Sequence, residues 1–241
     1  MKYISGDMST LSQRSLYPLL LCSLVMILVI YLHLDNRAHN SLSDSVVLEW
    51  EDGGQTTQLW GDDEECRQYR TRFLLQNSLP ARALVSYPGS GNTWTRYLVE
   101  AATGIFTGSV FNNQGIFDAG HLGERREYND GTTVLQKTHH SAVMEENYSL
   151  TQRRGHVAQF GGRGVLVIRN PYKALRAYWN LHESGSQTKT AAPESLESEK
   201  FQSFVREGGR RWLEVVQDWL QMSSDCYVIL YEVSTADRGQ S

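Results

Sequence analysis

No charge of one sign dominates this chain of 241 residues: the formal net charge is −4, so a chain-wide nucleic-acid footprint is excluded and any anion site must be local. No repeat of fixed period is present, which excludes a solenoid or propeller, and no long low-complexity block occurs. Cysteine is scarce, with three in all: Cys22, Cys66 and Cys226. An oxidising compartment would permit a bridge between Cys66 and Cys226, but spacing alone does not require one. Missing too is the lysine that a Walker A loop, GxxxxGK(S/T), places before its hydroxyl residue, and no metal-holding carboxylate is evident. That argues against kinase chemistry of the P-loop type.

What is present is enough apolar material, 40% of the chain, for one membrane segment and one domain of ordinary size. Ser15 to Leu34 reads SLYPLLLCSLVMILVIYLHL, with no formal charge apart from any on His33. Twenty residues at helical rise reach roughly 30 Å, a hydrocarbon core's thickness. Lys2 and Arg14 precede the run against Asp7, whereas Asp35, Asp44, Glu49, Glu51 and Asp52 follow it, a small bias that favours a cytoplasmic N-terminus. A cleaved signal peptide is the rival reading; the run is long for one, and no A-x-A site follows. The expected organisation is a cytoplasmic tail at 1–14, a transmembrane signal anchor at 15–34, a polar lumenal stem at 35–65 and a folded domain at 66–241. Asn147-Tyr148-Ser149 is a glycosylation sequon, usable on the lumenal side.

The domain alternates strand and helix patterns. Strands are expected at Arg82–Tyr87, Thr132–Lys137, Gly164–Ile168 and Cys226–Leu230. Helices are expected at Thr93–Ala102, at Pro171–Leu181 behind an Asn170 cap, and across Glu199–Met222, where Gly208-Gly209 offers a break. The fold class is therefore α/β, a P-loop-like parallel sheet flanked by helices and preceded by one transmembrane helix. Ligands of such sheets bind beyond the carboxyl ends of strands.

One strand ends in such a place. Leu84 to Glu100 runs from an apolar strand through Tyr87-Pro-Gly-Ser-Gly into an amphipathic helix. Backbone N–H groups there gather at the positive end of a helix, which suits phosphate. A tight turn with no ligand is the plainer alternative. Trp94 beside it is placed either to stack on a base or to fill the core. Arg169 ends a strand that reads as buried, and a planar, permanent cation there suits an anion. His139 is either a base or an ordinary satisfied histidine. Lys173 and Arg176 read as a solvated face, as do Arg206, Arg210 and Arg211.

Tyr87-Pro-Gly-Ser-Gly-Asn-Thr-Trp94 resembles the 5′-phosphosulfate loop of sulfotransferases, usually YPKSGTTW. Arg169-Asn-Pro-Tyr-Lys-Ala-Leu-Arg-Ala-Tyr178 resembles their 3′-phosphate motif, RNPxDxxxSxY, Lys137-Thr-His139 their KTH segment, and Tyr231-Glu232 a strand end that often reads YEDL. Order and rough spacing agree from about Arg82 to Glu232. Within the superfamily the chain most resembles the membrane-bound WSC-domain-containing sulfotransferase-like (WSCD) family, whose loop reads YPGSGNTW; its cysteine-rich WSC modules are absent here.

The resemblance implies a sulfotransferase fold and transfer of a sulfuryl group from 3′-phosphoadenosine 5′-phosphosulfate. Gly89, Ser90, Gly91, Asn92 and Thr93 would cradle the phosphosulfate, Trp94 would stack on adenine and Arg169 would hold the 3′-phosphate. His139 would be the base, with Lys137 neutralising charge on transferred or leaving oxygens. No metal is required. A Golgi membrane protein of type II would meet a glycan or glycoprotein acceptor. The sequence sets no oligomeric state. Against the usual pattern, Gly89 replaces a lysine and Ala177 a serine. The tail Val233–Ser241 also lacks a basic glycine-containing segment, which implies a C-terminally truncated domain.

Overall fold

A computed structural model of the chain describes residues 48–58, 62–143, 148–185 and 189–235. The tail at 1–14, the apolar run Ser15–Leu34 and Asn147 lie outside the described residues. Among the described residues no helix is long and apolar enough to cross a membrane.

The strands β3 (Ala83–Ser86), β4 (Gly108–Ser109), β5 (Gln136–Thr138), β6 (Arg163–Ile168) and β7 (Asp225–Leu230) form one sheet in the order β4-β5-β3-β6-β7. Every neighbouring pair is parallel. The α/β reading with a parallel sheet therefore holds. Alternation along each strand divides the core in two. Ala83, Val85 and Leu166 pack with Leu175, Val215 and Trp219. Leu84, Val165 and Val167 pack with Leu74, Ile105 and Leu135 on the other face. Each such Val, Leu or Ile side chain contributes about 1.5–3 kcal/mol when fully buried.

The helices start and stop where their residues dictate. Helix α1 (Asn92–Thr103) begins at Gly91 and ends at Gly104, both left-handed, and is followed by the short α2 (Gln114–Asp118). Helix α3 (Leu150–Ala158) opens with a capping box between Ser149 and Gln152. Helix α4 (Pro171–Ser184) has the expected Asn170 cap, which accepts from the Tyr172 and Lys173 N–H groups, and it closes at Gly185. Helix α5 (Glu199–Met222) is capped by Ser198, and α6 (Tyr231–Thr235) follows β7 directly.

Three features differ from the sequence expectation. Residues Gln136–Thr138, rather than Thr132–Lys137, make the second strand; upstream, the Leu74 and Val134 N–H groups bond to Thr132 and Phe106 carbonyls outside the sheet ladder. Gly208-Gly209 do not break α5. A β-carbon on Gly208 would come within 2.5 Å of Leu175 Cδ2 and 2.6 Å of the Tyr87 hydroxyl, so that glycine admits close packing against the core. Part of the expected stem is also folded in. There, β1 (Thr56–Gln58) pairs antiparallel with β2 (Arg70–Arg72), and the Leu75 N–H bonds to the Glu49 carbonyl.

Candidate functional site

The glycine loop leaves the central strand, β3, at its carboxyl end. Gly89 has φ +77 and Gly91 φ +88, conformations that side-chain-bearing residues rarely adopt. Their missing side chains also make room for the protein itself. A β-carbon at 89 would sit 2.4 Å from the Ala174 carbonyl, and one at 91 would sit 2.2 Å from the Tyr231 ring. Between them Ser90 is buried, and its Oγ has no hydrogen-bond partner among the described residues. Asn92 turns its side chain inward, where Nδ2 donates to the Leu84 carbonyl at 2.9 Å and to Ser86 Oγ at 3.2 Å. Its side chain is thus a brace for the turn. Thr93 is half-buried at the first turn of α1. Trp94, also half-buried, stacks on Tyr97 one helical turn on, with ring centroids 5.7 Å apart.

Arg169 follows β6, the neighbour of β3, and its guanidinium reaches back to the loop. Nη1 donates to the Gly89 carbonyl at 2.7 Å, while Nε is buried with no partner among the described residues. The guanidinium lies 4.6 Å over the Tyr231 ring, and Trp212 Nε1 fixes the Arg169 carbonyl at 3.1 Å. The Asn170 N–H donates to Glu232 at 3.0 Å. Tyr231 and Glu232 therefore shape the site, one bracing Arg169 and Gly91, the other the start of α4. Sequence reasoning matched this pair to a strand-end motif without giving it a role; the signal was its place at the carboxyl end of a strand.

Residues 137 and 139 come from β5, on the other side of β3. His139 Nδ1 lies 2.9 Å from the carbonyl of Ser86, the last residue before the loop turns. A carbonyl only accepts, so Nδ1 carries the proton and a neutral ring keeps its lone pair on Nε2. The ring stacks on Phe111, centroids 5.4 Å apart at 27°. Burial, and then the nearby Lys137 ammonium, push the His139 pKa down to about 3. Lys137 is itself buried, with Nζ 5.7 Å from the Phe111 centroid. Burial, helped by Arg96 and opposed by Glu124, pushes its pKa down to about 8. Beneath it Arg96 and Glu124 form a fully buried ion pair. Burial raises the Glu124 carboxyl, but the Arg96 charge and the Asn113 N–H outweigh this and hold it below the usual range. His140 points elsewhere: its Nε2 meets Asp218 Oδ2 at 2.8 Å, and Asp218 also pairs with Arg153 at 3.2 Å. The adjacent histidines thus divide: His140 is tied into the core, and His139 stays beside the loop.

The structure brings together Gly89, Ser90, Gly91, Arg169, Lys137 and His139 around the carboxyl ends of β3, β5 and β6. It does not bring the cysteines together. Cys66 and Cys226 are free. The bridge left open by the sequence is absent because Cys226 lies on β7, one edge of the sheet, while Cys66 precedes β2, whose Arg72 pairs with Ile105 just ahead of the opposite edge, β4. Lys173 and Arg176 are exposed. Arg210 and Arg211 pair with Glu207 along α5. Among the described residues no cluster of histidine, cysteine and carboxylate is arranged to hold a metal ion.

No model of a protein family matches the chain. Individual relatives do. A WSCD family member of Aedes aegypti is 33% identical over 144 residues, 60% of this chain and 38% of that protein. One of Drosophila melanogaster is 32% identical over 160 residues, 64% of this chain and 46% of that protein. One of Drosophila pseudoobscura pseudoobscura is 30% identical over 169 residues, 66% of this chain and 46% of that protein. The chain thus spans less than half the length of these curated relatives.

Proposed function

As a relative of WSCD family members, this chain is, we propose, a sulfotransferase that takes 3′-phosphoadenosine 5′-phosphosulfate as donor and a carbohydrate hydroxyl as acceptor in the Golgi lumen. The observation that carries the reading is the 2.7 Å contact between Arg169 and Gly89, which joins the two motifs at one place. The residues present fit such a donor. Ser90 Oγ and Arg169 Nε are buried polar atoms without partners among the described residues, and both can donate to phosphate oxygens. The loop amides and Ser90 would hold the phosphosulfate, Arg169 the 3′-phosphate, and Trp94 the adenine.

When bound, the donor supplies a sulfuryl group, whose sulfur bonds the acceptor oxygen as its bond to the 5′-phosphate oxygen breaks. His139 receives the hydroxyl proton at Nε2, the ring atom left with a lone pair. A pKa of about 3 makes His139 a weak base in the free protein, and the negative charge of a bound donor raises it towards the useful range. Lys137, with a pKa of about 8, stays mostly cationic at neutral pH and offsets charge building on oxygen. The membrane anchor at Ser15–Leu34 and the lumenal placement are part of the same proposal.

A second reading, a non-catalytic membrane-anchored binding protein, is favoured by Gly89, where a lysine side chain has no room. One experiment separates the two. Calorimetry should show binding of 3′-phosphoadenosine 5′-phosphate, weakened about tenfold or more by Arg169→Ala, with little change for the analogue lacking the 3′-phosphate. Equal loss for both nucleotides removes Arg169 from the 3′-phosphate. Labelled donor offered with a glycan panel then reads transfer; binding without transfer selects the second reading.

A further inference from the structure

We infer that Phe111 is a positioning residue of this site: its ring clamps His139 so that Nε2 is the atom presented for proton uptake. The inference rests on the sulfotransferase reading for its chemistry, though not for its geometry. Phe111 touches both proposed reacting side chains, stacked on His139 at 5.4 Å and placed 5.7 Å from Lys137 Nζ. A histidine held by one hydrogen bond can still swing about its ring torsion. A flat partner on one face removes that freedom and excludes water at the same time.

The segment carrying Phe111 is itself anchored from the buried layer. The Phe111 N–H donates to Ser109 Oγ at 3.1 Å. Asn112 takes a left-handed turn, φ +47, a conformation that asparagine adopts more readily than other residues with a side chain. Beyond it the Asn113 N–H donates to Glu124 Oε2 at 3.0 Å, and Asn113 Oδ1 caps Ile116 at 3.0 Å. Glu124 is held by Arg96 of α1, which also donates to Thr107 Oγ1 at 2.7 Å and to the Thr107 carbonyl at 3.1 Å. The helix that begins at the glycine loop thus sets, through one buried ion pair, where Phe111 stands. The charged group facing His139 is Lys137, flanked in turn by Arg96 of α1 and Glu124 of the turn Leu122–Arg125.

The test is a pH titration of ¹⁵N-histidine signals in the full chain, with His139→Gln used to assign the resonance. The native protein should hold His139 in the Nδ1–H tautomer. Phe111→Leu should give mixed tautomers and raise the titration midpoint by about one unit or more, while Phe111→Tyr, which keeps a flat ring, restores both. Phe111→Met, similar in volume but without a flat face, takes the place of the leucine variant should that one not fold. In transfer assays Phe111→Leu should lower kcat about tenfold and shift its pH profile, with nucleotide affinity unchanged. An unaltered tautomer and midpoint overturn the inference, whatever the activity. A native protein that transfers nothing overturns the proposed reaction instead, and the titration still decides the role of Phe111.

Discussion

A β-carbon at position 89 would lie 2.4 Å from the Ala174 carbonyl and 3.2 Å from the Ala177 methyl. Two of the departures from the usual sulfotransferase pattern, glycine for lysine at 89 and alanine for serine at 177, are therefore neighbours across one contact between the loop and α4. Close packing takes the space that a lysine stem would need; under our proposal the cation comes instead from Lys137 on β5. His139 has a measurable consequence of its own. In the unfolded chain its imidazole takes a proton near pH 6.5, and in the folded protein only near pH 3. Between these values the unfolded state binds more protons, so folding stability rises with pH through that window and is lost as pH falls towards 3. His139→Gln, which can still donate to the Ser86 carbonyl, should flatten the dependence of unfolding free energy on pH by about 1.4 kcal/mol per unit between pH 4 and 6. Parallel urea melts of the two proteins read this directly, and identical slopes would show that His139 titrates normally.

Element by element, legibility followed the strength of the local code. Helix α4 was readable because Asn170 and Pro171 force a start, and β6 because Gly164–Ile168 is apolar on both faces. The second strand was misplaced because Thr132–Leu135 has strand composition but bonds outside the sheet ladder. The β1–β2 pair and the two-residue β4 were not seen; such short strands carry no periodicity. Within the site, the loop and Arg169 were legible as motifs, whereas Phe111 was not, since no spacing rule ties it to His139. The glycines of α5 show why a local rule can mislead. In an exposed helix, glycine to alanine stabilises by about 0.5–1 kcal/mol. Gly209 has open space, so Gly209→Ala should do so. At Gly208 the new methyl would meet Leu175 and Tyr87, so Gly208→Ala should lower stability by about 1–3 kcal/mol. Denaturation midpoints that move the same way for both variants would contradict this packing account.

At the scale of the molecule, strand order does what no linear motif can. The loop leaves the middle strand, β3; His139 and Lys137 come from β5 on one side, and Arg169 and Tyr231 from β6 and β7 on the other. The proposed nucleotide contacts thus gather on one half of the sheet and the proposed proton acceptor on the other, with the loop between them. The parallel pattern nominates the carboxyl ends of the strands for a site, while their lateral order emerges only from packing. The same asymmetry of sequence bears on how the chain sits in a membrane. The apolar run Ser15–Leu34 with basic residues before it and acidic residues after it places the whole sheet on the lumenal side under our proposal. Ser149, the third residue of the sequon, is exposed at the start of α3, which suits modification at Asn147. Chain made in the presence of sealed microsomes should therefore resist added protease until detergent is supplied. Endoglycosidase should also increase its mobility, an effect that Asn147→Gln removes. Digestion of the domain without detergent would place the sheet on the cytoplasmic side and end both the Golgi-lumen assignment and the glycan acceptor inferred from it.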